Sequence, residues 1–114
     1  EKPIVAVDFD GTLVNCQYPQ MENPDLLLIS YIKKHRNDYI WILNTCRKGQ
    51  ELLDAVYYLA NEHNVFFDYI NENTDSIIAT YGDTRKVSAD IYIDNSAMTA
   101  ANFLNKPNEE VFAS

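Results

Sequence analysis

The sequence predicts an α/β fold: a three-layer, Rossmann-like domain with a parallel central sheet. Three observations predict it. Short apolar runs without polar alternation recur at Ile4-Val5-Ala6-Val7, Tyr39-Ile40-Trp41-Ile42-Leu43 and Asp90-Ile91-Tyr92-Ile93. Such runs fit strands buried on both faces, as in parallel sheets. Between them, apolar residues recur at helical spacing, which gives the strand–helix alternation of α/β proteins. Finally, the runs end in Asp8, Asn44-Thr45 and Asp94, at the carboxyl ends where open α/β sheets bind ligands.

The first run carries the strongest chemistry. Pro3 precedes it, where a missing N–H is tolerated. It leads directly into Asp8-Phe9-Asp10-Gly11-Thr12-Leu13. On an extended backbone, residues two apart point to the same side, which predicts that Asp8 and Asp10 face together. Gly11 then lets the chain turn sharply. One carboxylate can attack phosphorus to form an aspartyl-phosphate, and its neighbour can protonate the leaving group and later deprotonate a water. Two facing anions repel. A hard cation such as Mg²⁺, which prefers oxygen ligands, relieves that repulsion.

Residues 12–23 are a short polar connection with Pro19 and Asn23. Asn23-Pro24 predicts a helix start. Leu26, Leu28, Ile29 and Ile32 continue at helical spacing, and Lys33, Lys34, His35 and Arg36 close it against the dipole. After the second strand come Asn44-Thr45-Cys46-Arg47. A Thr45 hydroxyl at a strand end can donate to a phosphoryl oxygen, and Arg47 can offer a phosphate two parallel bonds. Cys46 reads as a small packing residue. Residues 48–62 predict a second helix with Leu52, Val56, Leu59 and Ala60 as its buried stripe. His35 and His63 read as structural helix-end residues. Val65-Phe66-Phe67-Asp68-Tyr69-Ile70 reads as a third strand, and residues 71–83 as loop with at most a helical turn at 76–78. Asp90 and Asp94 bracket the last strand about 13 Å apart at ~3.3 Å per residue. Asp90 is thus structural and Asp94 stands at the ligand end. Asn95 caps a helix through Met98, Ala101 and Leu104, and residues 108–114 read as a tail.

In this order the motifs resemble the haloacid-dehalogenase (HAD) superfamily, whose members are mostly Mg²⁺-dependent phosphatases. Asp8-Phe9-Asp10-Gly11-Thr12-Leu13 resembles the first motif, Thr45 the second, Lys86 the third and Asp94 the fourth. The resemblance implies a hydrolase in which Asp8 is the nucleophile and Asp10 the general acid and base. It also implies that Thr45 and Lys86 bind the phosphoryl oxygens, and that Mg²⁺ is held by Asp8, the backbone carbonyl of Asp10, and Asp94. The family often has a second acid where this chain has Asn95. Caps are inserted after the first motif or between the second and third. Here 14–23 and the stretch from the second helix to Lys86 are too short for a domain of the usual ~50 residues or more. With no cap domain, the site should then be open, admitting a small or macromolecular phosphorylated substrate, or closed by a neighbouring copy in a homo-oligomer.

Composition sets the remaining bounds. The 114 residues, 46% hydrophobic, fit one domain across 1–114. No stretch is long and apolar enough to span a membrane. The two cysteines lack metal spacing and fit a reduced, cytoplasmic protein. A net charge of −8 weighs against non-specific nucleic-acid binding, which relies on Lys and Arg. Two rivals follow: a non-catalytic Mg²⁺- or phosphate-binding module on the same scaffold, and a phosphatase of nucleic-acid ends. A response-regulator receiver also resembles the chain in size and in its Asp/Thr/Lys set, but its phosphorylated acid follows the third strand; here Asp68 lies within or near that strand, and Asp8-Phe9-Asp10-Gly11-Thr12 does not fit that family's opening acids.

Overall fold

A computed structural model describes residues 2–82 and 87–94. Four parallel strands form one sheet: β1 (Ile4–Val7), β2 (Ile40–Leu43), β3 (Tyr69–Ile70) and β4 (Ile91–Ile93), in the order β3-β2-β1-β4. Three helices connect them: α1 (Leu26–Lys34), α2 (Gly49–His63) and α3 (Asp75–Tyr81). β1 registers Ile4 against Ile40 and Val7 against Leu43 on one side, and Val5 against Ile91 and Val7 against Ile93 on the other. Every residue of β1 is buried, as a non-alternating apolar strand requires.

The two faces of the sheet build separate cores. Val5, Val7, Trp41, Leu43 and Ile93 pack with Leu28, Ile29 and Ile32 of α1 and Ala55 and Leu59 of α2. Ile4, Ala6 and Ile42 face the other way, where Val87 and the α3 residue Ile77 cover them. Period-two alternation of the strand side chains thus feeds both layers.

Four local expectations shift. Helix α1 is capped by Asp25, whose carboxylate accepts from the Leu28 N–H at 3.1 Å. Asn23-Pro24 does not open it, because Asn23 has φ 50° and Pro24 bridges back to Val14. The buried stripe of α2 runs through Ala55 and Leu59, with Leu52, Val56 and Ala60 half-buried. β3 keeps only Tyr69 and Ile70, since Val65 closes α2 by donating to the Leu59 carbonyl at 2.9 Å and Phe66 is 55% exposed. The region read as loop holds α3, which Thr74 caps by accepting from the Ile77 N–H at 3.3 Å. The helix expected from Asn95 through Leu104, and the tail at 108–114, lie outside the described residues.

The amino edge of the sheet has its own acids. Asp90 accepts from the Ile4 N–H at 2.7 Å, so its role is structural as expected. Asp68 accepts from the Trp41 N–H at 2.8 Å and pairs with Arg36 at 2.9 Å. Asp90 satisfies the opening amide of β1, and Asp68 the second amide of β2. Asp90→Ala is expected to destabilise the fold by about 1.5–3 kcal/mol, the net value of a hydrogen bond to a charged group. Urea denaturation measures this, and an unchanged midpoint would contradict it.

Candidate active site

The strand order reverses at β1. From it the chain steps outward to β2 and β3, then returns to lay β4 on its other side. In an open α/β sheet the crevice outside the carboxyl ends at such a reversal is the ligand position. Asp8 leaves β1 there and Asp94 leaves β4. The ladder continues one residue past the strands: the Asp8 N–H donates to the Ile93 carbonyl at 3.0 Å, and the Asn44 N–H to the Val7 carbonyl at 2.8 Å. These bonds fix the backbone of Asp8 between both neighbours.

Extended-strand alternation predicts Asp8 and Asp10 side by side, and the charge of Asp10 does act on Asp8. The chain leaves the strand at Val7 and turns from Phe9 onward. The N–H groups of Thr12, Leu13 and Val14 converge on the Phe9 carbonyl at 3.2, 2.9 and 3.2 Å. Gly11 sits in this turn at φ 80°, where a side chain would strain the backbone. Phe9 and Leu13 are fully buried and anchor the turn to the core. Thr12 is also buried, and its hydroxyl has no partner among the described residues.

Asp8 is half-buried, and its Oδ1 accepts from the Phe9 N–H at 2.8 Å. Burial raises its proton affinity above the usual carboxylate value. The Phe9 bond opposes this, while the charges of Asp10 and Asp94 add to it. The sign for stability follows. A carboxyl whose folded pKa is raised stabilises the fold while protonated, and that contribution is lost as pH climbs through the folded pKa. At neutral pH the Asp8 charge therefore costs stability. Asp8→Asn is expected to raise the melting temperature at pH 7, with the gain shrinking as pH falls toward the ordinary aspartate value of 3.8. Melting curves across that range test this; a lowered melting temperature at pH 7 would contradict it.

Thr45 stands at the same edge, half-buried. Its N–H donates to the Asn71 side-chain carbonyl at 2.7 Å, and its hydroxyl oxygen accepts from the Arg47 N–H at 3.2 Å. The latter bond uses the oxygen as acceptor and leaves the O–H as a donor. Asn71 follows β3 at φ 55°, a conformation that asparagine tolerates better than most residues. It was not singled out from the sequence, although an asparagine directly after a strand is a recognisable turn signal. The exposed Cys46 is not the packing residue expected of it. His35 pairs with Asp38 at 2.6 Å, and His63 meets the Tyr58 hydroxyl at 3.1 Å; both serve helix ends.

Arg47 reaches the site, but its fork faces a protein carboxylate. Nε donates to Asp10 Oδ2 at 2.8 Å and Nη2 to Asp10 Oδ1 at 2.7 Å. Nη2 also meets the carbonyls of Pro19 at 3.1 Å and Gln20 at 3.3 Å. The guanidinium lies 4.9 Å from the Phe9 ring centroid and 5.0 Å from that of Tyr18. The Tyr18 hydroxyl in turn bonds to Glu51. The Asp10 bond raises the proton affinity of Arg47 further. Tyr18 had no sequence signal beyond its place in a polar loop.

Lys86 and Asn95 lie outside the described residues. Among the described residues no three His, Cys, Asp or Glu side chains form a metal-holding group. The expected set asks for less: two carboxylates, Asp8 and Asp94, and the backbone carbonyl of Asp10. All are oxygen donors, and the carboxylates are close enough to repel. That donor set fits a hard cation such as Mg²⁺.

No protein-family model matches this chain, and no curated protein matches it. Among solved structures, a conserved protein from Bacteroides thetaiotaomicron is similar, with a TM-score of 0.71 and 23% identity over 97% of this chain and 86% of that one. The likeness supports the α/β fold. Among the described residues no helix is long and apolar enough to cross a membrane.

Proposed function

We propose that this chain is a Mg²⁺-dependent phosphomonoesterase of the haloacid-dehalogenase type, working through an aspartyl-phosphate. The observation that carries the reading is Asp8, half-buried at the sheet's reversal point, with Asp10 and Asp94 near enough to oppose its charge. A lone structural acid has no reason to be set among two others.

Asp8 attacks phosphorus in line with the leaving oxygen, its backbone held by β4. Asp10 protonates that oxygen as it departs, then takes a proton from the water that cleaves the acyl phosphate. The Thr45 O–H binds a phosphoryl oxygen, and Lys86 neutralises the transferred group. Bound Mg²⁺ would be held by Asp8, the Asp10 carbonyl and Asp94, and would supply charge neutralisation between carboxylate and phosphoryl group. Positioning and electrostatics carry most of the rate in phosphoryl transfer. The connection at 14–23 is too short for a cap, so the site is open and suited to more than one phosphorylated substrate, in a reduced, cytoplasmic setting.

Hydrolysis of p-nitrophenyl phosphate with and without Mg²⁺ tests the reading. Turnover that disappears on chelation and returns with Mg²⁺ is expected. Mg²⁺ binding by calorimetry without any turnover would instead mark a non-catalytic module.

A further inference from the structure

We infer that Arg47 is a positioning residue for Asp10 and not a ligand of the substrate phosphate; the inference rests on the phosphatase reading above. Three observations carry it. Both Asp10 oxygens accept from the same guanidinium, at 2.7 and 2.8 Å, which sets the plane of the carboxylate as a single bond would not. The arginine side chain is only 1% exposed, against 30% for Asp10, so the cation is held inside and the acid faces the crevice. The guanidinium itself has little freedom. It lies over Phe9 on one contact and Tyr18 on another, and it ties down the carbonyls of Pro19 and Gln20.

The consequence is a wall built without a cap domain. Arg47 joins the acid–base residue to the loop at 15–22, so the same group that orients Asp10 holds the loop beside it. The Nε and Nη2 edge of the guanidinium is taken by Asp10, and Nη2 also meets two carbonyls, so the paired edge that would grip a phosphate is already occupied. Thr45, whose O–H is left as a donor, then serves the phosphoryl group on this side of the crevice. Lysine in place of Arg47 would keep the charge and lose the paired geometry.

A double-mutant cycle on p-nitrophenyl phosphate turnover tests this. Arg47→Gln and Arg47→Lys are made in wild type and in Asp10→Asn, with the folded fraction of each measured by circular dichroism. In the wild-type background both substitutions are expected to lower kcat per folded molecule by about 10–100-fold, the scale of a misplaced catalytic group, with KM nearly unchanged. In the Asp10→Asn background they are expected to cost less than about threefold, because an interaction already lost cannot be lost twice. An equal loss in both backgrounds with a raised KM would make Arg47 a phosphate ligand and overturn the inference. A loss that merely follows the folded fraction would make it structural and also overturn it. Wild-type turnover that ignores Asp8→Asn would overturn the phosphatase reading itself, and this inference with it.

Discussion

Asp8→Asn is expected to lower turnover by on the order of 10⁴-fold or more, the scale seen when a catalytic nucleophile is removed. The amide keeps the size of the carboxyl and can still meet the Phe9 N–H through its oxygen, so the fold should survive. It removes the attacking oxygen anion and one negative charge from the metal position. Because the ionised Asp8 is disfavoured by burial and by Asp10 and Asp94, the inactive variant should also melt higher at pH 7. Loss of activity together with gained stability is the signature of a functional site that costs the fold something. A variant that is both inactive and less stable would mean that Asp8 holds the structure together.

Asp10→Asn is expected to cost about 10²–10⁴-fold in steady-state turnover, the usual contribution of general acid–base catalysis. The loss should depend on the leaving group. p-Nitrophenolate departs readily without a proton, so the first half-reaction should survive, whereas an alkyl phosphate needs protonation at the leaving oxygen. The second half-reaction needs Asp10 as base in either case. Rapid mixing of Asp10→Asn with p-nitrophenyl phosphate should therefore show a burst of about one product per active site, followed by a slow phase. Equal losses on aryl and alkyl phosphates, without a burst, would remove Asp10 from proton transfer.

Much of this molecule was legible in its sequence, and the parts that were not share a cause. β1, β2 and β4 were readable because each is a short apolar run with a polar residue at its carboxyl end, a pattern contained within about six residues. Asp8-Phe9-Asp10-Gly11 is likewise local, and the turn that follows it is closed on the Phe9 carbonyl. The third strand is shorter than the sequence suggests, because Val65 through Ile70 looks uniformly β-like. Val65 is needed to close α2, and only Tyr69 and Ile70 reach the ladder. Helix α1 starts two residues later than Asn23-Pro24 suggests, since Pro24 pairs with Val14 in a contact across the loop. Arg47 shows the limit most clearly. Its partner Asp10 is 37 positions away, and nothing within either segment reveals that they meet. Asp68 read as a strand acid near the third strand; its long-range bonds to Trp41 and Arg36 set it at the amino edge, opposite the candidate site.

The most direct test of the central claim is intact-protein and peptide mass spectrometry of Asp10→Asn, acid-quenched within the burst phase on p-nitrophenyl phosphate and Mg²⁺. The account predicts one added phosphoryl group, mapped to Asp8 and absent from the Asp8→Asn, Asp10→Asn double variant. Wild-type turnover with no phosphoryl group on Asp8, or with the group on another residue such as Asp68, would contradict it.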